Sequence, residues 1–236
     1  MCAGELADFE GMDAALKLQK MIIQKAQPLS AEIEKAFFKY PRHLFVPEYS
    51  VTAAYSDHPL LLYEKEPYTS TISQPSFVLQ ILEKLQIKPG HKVYELGTGS
   101  GWNAALMSAL VGETGKIVTS EVIPEVAARA ERFFAKLNVP NIHLIAGDGF
   151  DGCPEEAPYD RVIFTAGSSE FPDQLFAQLK DGGLMIFVRQ REFESDMLEL
   201  LRKEGKQWVL VSSTPCQFVS VNRKKKTRSD SGSLFW

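Results

Sequence analysis

Apolar residues recur at helical spacing early in the chain, through Leu16, Met21, Ile22 and Ile23, and again after Pro28 and Ser30 as far as Phe37 and Phe38. This spacing predicts two helices, an N-terminal extension covering one edge of a larger body. From Tyr40 to Pro75 no period is sustained. Pro41, Pro47, Pro59, Pro67 and Pro75 punctuate a stretch with aromatics but no regular pattern, and a loop of that length inside a compact fold is expected to be functional. A helix is predicted from Pro75 to about Gln86 on Phe77, Val78, Ile81, Leu82 and Leu85, before Lys88-Pro89-Gly90 turns the chain.

Beyond that turn the texture alternates. Residues 91–96, 116–121, 141–146, 159–165 and 184–188 read as short apolar strands. Residues 102–111, 124–137 and 171–179 read as helices, the last stopped by Asp181-Gly182-Gly183. Strands alternating with helices predict an α/β fold: a doubly wound, mostly parallel, Rossmann-like sheet with helices on both faces. Residues 198–201 and 208–211 flank a Lys203-Glu204-Gly205-Lys206 turn and predict a C-terminal antiparallel hairpin, with residues 218–221 again strand-like.

Composition narrows the class. With 44% hydrophobic and 24% charged residues, the 236-residue chain is neither disordered nor collagen-like as a whole. Its length suits a single domain over 1–236, divided into 1–75 (helices and an acceptor region), 76–221 (the sheet) and 222–236 (a tail). The formal charge is −4, yet Arg223, Lys224, Lys225, Lys226 and Arg228 against Asp230 put +4 into 222–236, so the remainder carries −8. An acidic body argues against nucleic acid as the main partner, because that affinity comes from Lys and Arg displacing counterions. Cys2, Cys153 and Cys216 form no CxxC and are an odd number, so reduced thiols and a cytoplasmic location are expected. The residues around Met1 lack the order of a signal peptide, and no apolar run reaches about 18 residues, so no membrane partner is expected. His43, His58, His91 and His143 lack paired-ligand spacing, so no metal is expected. Arg189 and Arg191 are candidate local cations within the acidic body.

The strongest chemical signal is Glu95-Leu96-Gly97-Thr98-Gly99-Ser100-Gly101, at the junction of the first sheet strand and its helix. Three alternating glycines let the backbone turn tightly and let a ligand approach. The spacing is G-x-G-x-G, not the dinucleotide G-x-G-x-x-G, because Trp102 occupies the decisive place. No Gly-Lys-Ser/Thr follows, so it is not a P-loop either. Glu121, at the end of the second strand, can accept from both ribose hydroxyls, and Asp148, in Gly147-Asp148-Gly149, from an adenine amine. Together they describe a pocket for adenosine without pyrophosphate, which points to S-adenosyl-L-methionine.

This region resembles the class I S-adenosylmethionine-dependent methyltransferases, and other segments narrow the resemblance. Pro41-Arg42-His43-Leu44-Phe45-Val46-Pro47-Glu48, Tyr55-Ser56-Asp57-His58-Pro59-Leu60 and Thr71-Ile72-Ser73-Gln74-Pro75 look like protein-L-isoaspartate O-methyltransferase. So do Gly147-Asp148-Gly149 and Leu179-Lys180-Asp181-Gly182-Gly183. The resemblance implies that Ser73 is the catalytic residue and also meets substrate. It implies that Thr71, Ile72, Gly97, Thr98, Gly99, Glu121, Asp148 and Gly149 hold the cofactor, and that Asp57 stands at the acceptor mouth. The implied partners are isoaspartyl-containing proteins and peptides, met by a monomer or weak homo-oligomer. Without the family, Ser73 reads as a cap for the helix beginning at Pro75.

The sequence departs from the family pattern in the stretch 61–70, which has no glycine, in Arg189-Gln190-Arg191, and in Val219-Ser220-Val221. These departures keep two alternatives open, a methyltransferase with another acceptor and a non-catalytic cofactor-binding member. A dinucleotide oxidoreductase is the weakest reading, because of Trp102.

Overall fold

The computed structural model describes residues 3–192 and 194–221, with side chains from residue 14 among the first helical turns. The elements run α1 (Ala3–Ala26), α2 (Ala31–Lys39), a 3-10 turn (Arg42–Phe45), α3 (Val51–Ala54), β1 (Leu60–Lys65), β2 (Tyr68–Ile72), α4 (Pro75–Leu85) and β3 (Lys92–Leu96). There follow α5 (Trp102–Val111), β4 (Lys116–Glu121), α6 (Pro124–Lys136), β5 (Ile142–Ala146), β6 (Tyr159–Phe164), α7 (Asp173–Ala177), β7 (Leu179–Arg189), β8 (Asp196–Glu204) and β9 (Gln207–Cys216).

Seven strands form one sheet in the order β5-β4-β3-β6-β7-β8-β9, parallel from β5 through β7 and antiparallel across β7-β8-β9. The mostly parallel sheet and its C-terminal hairpin therefore agree with the sequence pattern. Both faces are covered, and strand alternation explains how. Val93, Ile117, Ile163 and Ile186 join the core beneath α1, α2, α4 and α5, while their neighbours Tyr94, Val118, Val162 and Met185 join a second core with Leu175 and Phe176 of α7. Helix α5 is buried on almost every side, as its nearly all-apolar sequence requires. Helix α6 buries only Val126, Ala127, Ala130 and Phe134, one stripe at helical spacing.

Three expectations change. Residues 40–75 are not one irregular loop: they carry α3 and a β1–β2 hairpin, paired from Leu60↔Ile72 to Lys65↔Tyr68. Alternation there is blurred because the hairpin is mostly half-exposed and its register shifts between Leu61 and Tyr63. Asp181-Gly182-Gly183 does not stop a helix, because α7 ends at Ala177 and β7 already pairs Leu179 with Tyr159. The glycines instead accompany a register shift, with Gly182 at φ +72°. Residues 218–221 make a bridge rather than a strand: Gly167 N–H donates to Val219 O, and Val221 N–H to Gly167 O. The basic tail from Asn222 lies outside the described residues.

The chain order reverses beside β3, since β4 and β5 lie on one side and β6 and β7 on the other. Ligands in open α/β sheets sit at the carboxyl ends of the strands at such a switch point. Among the described residues no helix is long and apolar enough to cross a membrane.

Candidate active site

A cavity opens at that switch point. Its walls come from the ends of β2, β3, β4 and β6, from the turns after β3 and β5, and from residues 218–221. Of the sequence-predicted residues, Thr71, Ile72, Ser73, Gly97, Thr98, Gly99, Glu121, Asp148 and Gly149 all line it. Asp57 does not line it.

The glycine loop is shaped from both sides. Gly97 has φ +96°, Gly99 +53° and Gly101 +83°, a region that L side chains avoid. A Cβ on Gly97 would overlap the Thr165 hydroxyl, and one on Gly101 would come within 2.7 Å of Phe134 Cε1. Gly97 N–H and Thr98 N–H both donate to Ser120 O, at 2.9 and 3.0 Å, tying the loop to the end of β4. Gly149 serves packing as well: Tyr94 OH donates to its carbonyl at 2.6 Å, and a Cβ there would overlap the Ser120 hydroxyl.

Glu121 is buried, and its carboxylate is a bracket. Oε2 accepts from Gly99 N–H at 2.9 Å and Oε1 from Ile123 N–H at 3.0 Å. Burial pushes its pKa up, and the N–H donors act against that rise. Close enough for the two charges to interact is Glu95, the first residue of the glycine motif. It is fully buried, accepting from Asn103 Nδ2 at 2.7 Å and from the Thr119 hydroxyl at 2.6 Å; Thr119 Oγ1 stands 2.7 Å from Thr98 Oγ1. Loss of solvation lifts the Glu95 carboxyl to about 7, against those two donors and helped by the nearby Glu121 charge.

The segment expected at the acceptor end is organised differently. Asp57 accepts from Ser76 N–H at 3.1 Å and from Ser76 Oγ at 3.0 Å, so it caps α4, and Lys25 Nζ is 3.6 Å away. The sequence reading of Ser73 as the cap therefore gives way to Asp57. Sequence offered no signal for this, because 19 residues separate the acid from the amide it caps. Ser73 stays half-buried on the cavity wall, its carbonyl accepting from Arg42 Nη2 at 3.0 Å. Trp102, on the cavity wall, is otherwise buried and donates from its indole to Tyr40 O at 3.0 Å. The candidate local cations are engaged elsewhere: Arg189 Nε meets both oxygens of Glu199, and Arg191 meets Glu194 at 2.6 Å.

The donor set fits an adenosine joined to an amino-acid chain. The buried Asn103 Oδ1, on the cavity wall, has no hydrogen-bond partner and can receive an N–H from a ligand. The glycine cradle offers backbone close at hand, and Glu121 and Asp148 stand at the ends of successive strands. Among the described residues, no group of three His, Cys, Asp or Glu is placed to hold a metal ion.

Comparison with known proteins is specific. The sequence pattern of the family described as Protein-L-isoaspartate(D-aspartate) O-methyltransferase (PCMT) matches residues 15–226. A protein-L-isoaspartate O-methyltransferase of Fervidobacterium nodosum is 41% identical over 193 residues, 82% of this chain and 94% of that protein. One from Gloeobacter violaceus is 34% identical over 208 residues, 87% and 98% of the two chains. A solved protein-L-isoaspartate O-methyltransferase structure superposes with a TM-score of 0.81 at 32% identity, covering 88% of this chain and 66% of that one. A putative enzyme of the same description from Plasmodium falciparum, solved with S-adenosyl-L-homocysteine, shares the fold at a TM-score of 0.74 and 18% identity, covering 88% and 98%. Matched along most of its length by sequence pattern, relatives and fold, the chain belongs to the protein-L-isoaspartate(D-aspartate) O-methyltransferase family.

Proposed function

We propose that the cavity binds S-adenosyl-L-methionine and that the chain, working as a single domain, methylates the carboxylate of L-isoaspartyl residues in damaged proteins and peptides. One observation carries this reading: the cofactor-type loop of Gly97, Thr98 and Gly99 and the segment Thr71-Ile72-Ser73 line one cavity, although 24 positions separate Ser73 from Gly97. Gly97, Thr98 and Gly99 receive the methionyl part, Glu121 the ribose, and Asp148 with Gly149 the adenine side. Thr71 and Ile72 close over it. Asp57 serves the acceptor end by fixing the first turn of α4.

The cofactor supplies a methyl group already activated by its sulfonium. The isoaspartyl carboxylate is ionised near pH 7, so the chain has no proton to remove before the new O–C bond forms, and the S–C bond breaks with it to release S-adenosyl-L-homocysteine. Catalysis then rests on alignment, and holding two partners in line is worth up to about 7–11 kcal/mol of barrier. Ser73 orients the carboxylate through a hydrogen bond from its hydroxyl and forms no covalent bond to it. The ester carbonyl carries methoxide, a far better leaving group than the oxygen of a free carboxylate. The neighbouring backbone amide nitrogen attacks that carbonyl, loses its proton and expels methanol to close a succinimide, and water then opens the ring, partly to normal aspartate. The free thiols of Cys153 and Cys216 suit a cytoplasmic protein, acting as a monomer or weak homo-oligomer.

The test is transfer of labelled methyl from S-adenosylmethionine to an isoaspartyl peptide, with the matched aspartyl peptide as control. Transfer to the first alone is expected. No transfer to either, despite tight binding of S-adenosylhomocysteine, would overturn the acceptor assignment.

A further inference from the structure

Arg42 is fully buried yet forms no ion pair among the described residues. Its guanidinium instead donates to backbone carbonyls drawn from three places in the chain. Nη1 bonds Ala54 O at the end of α3, and Nη2 lies 3.3 Å from His58 O ahead of β1. The same nitrogen lies 3.3 Å from Ile72 O and 3.0 Å from Ser73 O at the end of β2. Its Nε has no partner, and the group lies over the Trp102 ring, 5.8 Å from the ring centre. Asp57 acts on it only at a distance, because both Asp57 oxygens are committed to Ser76 and Lys25. Burial lowers the Arg42 pKa to about 10, so the charge is retained at neutral pH.

A buried cation without a carboxylate partner is costly and is a poor device for stability alone. Its position suggests what offsets that cost. The two carbonyls it holds at the end of β2, Ile72 O and Ser73 O, flank the Ser73 side chain, and Ile72, Ser73 and Trp102 all line the cavity. The candidate local cations Arg189 and Arg191 are paired with Glu199 and Glu194. We propose that Arg42 is a positioning residue for methyl transfer: it fixes Ser73 through the carbonyls on either side and places a permanent positive charge one layer behind the acceptor carboxylate. This rests on the acceptor reading given above.

Arg42→Lys keeps the charge but lacks the planar fork that spans several carbonyls, whereas Arg42→Met removes both. For each variant, kcat and KM with the isoaspartyl peptide are measured beside the dissociation constant of S-adenosylhomocysteine and the melting temperature. We expect kcat/KM to fall on the order of 10-fold in Arg42→Lys and on the order of 100-fold in Arg42→Met, with cofactor affinity held within about twofold. A folded Arg42→Lys that keeps kcat/KM within about threefold of the parent, or that loses cofactor affinity in step with turnover, overturns the proposal. So does an Arg42→Lys that cannot fold, since the residue would then belong to the fold. An inactive parent protein refutes the acceptor reading instead, and the two failures are told apart by the parent alone.

Discussion

The cofactor end of the cavity and its acceptor end meet at Gly99, whose amide lies against Glu121 and whose Cα faces the backbone of Thr71. They are built by different means. At the cofactor end, functional groups sit at the termini of β3, β4 and β5, and backbone bonds to Ser120 O and the Glu121 carboxylate set the loop between them. At the acceptor end, the run of short elements from Tyr40 to Ser73, α3 and the β1–β2 hairpin among them, is pinned by two charged side chains: Arg42 gathers carbonyls and Asp57 caps α4. The first construction spreads its constraints over a sheet, while the second concentrates them in single residues. Substitutions at the cofactor end should therefore affect stability and ligand affinity together, and those at the acceptor end should be separable from cofactor binding.

The largest expected effect is at Gly97. Gly97→Ala meets both a positive φ and the Thr165 hydroxyl, and should cost about 2–4 kcal/mol of stability together with most cofactor affinity. Denaturant unfolding and calorimetric titration with S-adenosylhomocysteine would show it; an unaltered affinity would break the comparison at its firmer end. Next is the buried acid of the glycine motif. Between pH 4.5 and about 7 the folded chain keeps a proton on Glu95 that the unfolded chain has released. Stability is therefore lost as pH rises through that window and levels off above it, by roughly 3 kcal/mol. Glu95→Gln can still accept from Asn103 and bond Thr119, and should remove that part of the slope. The parent and variant curves should converge at acid pH, with the variant the more stable at pH 8; parallel curves would contradict the burial argument.

The same contrast accounts for what was legible in the sequence. The loop, Glu121 and Asp148 were readable because strand ends and glycine spacing are local, and the sheet follows from strand–helix alternation. The β1–β2 hairpin was not readable, because a half-exposed pair with a register shift shows no clean period. Asp57 and Ser76 were 19 positions apart, and Arg42 binds carbonyls, which carry no side-chain signature. Ser73 was identified by family likeness alone. Its geometry adds that Asp57, not Ser73, caps α4, so its hydroxyl is not needed for that task.

Glu121→Ala sharpens the comparison from the cofactor side. It strips the acceptors from Gly99 N–H and Ile123 N–H, about 1–3 kcal/mol for an unsatisfied buried group, and should weaken S-adenosylhomocysteine binding far more than it slows turnover at saturating cofactor. Ser73→Ala should do the reverse, with no measurable loss of stability. One orienting hydrogen bond to an ionised carboxylate is worth about 1.5–3 kcal/mol, so turnover on the isoaspartyl peptide should fall on the order of 10- to 100-fold. Cofactor affinity and melting temperature should barely move, because the Ser73 carbonyl and not its hydroxyl carries the contact with Arg42. If both variants lost affinity and turnover in equal measure, the two ends would be one mechanical unit, and the division of labour argued from their construction would fail.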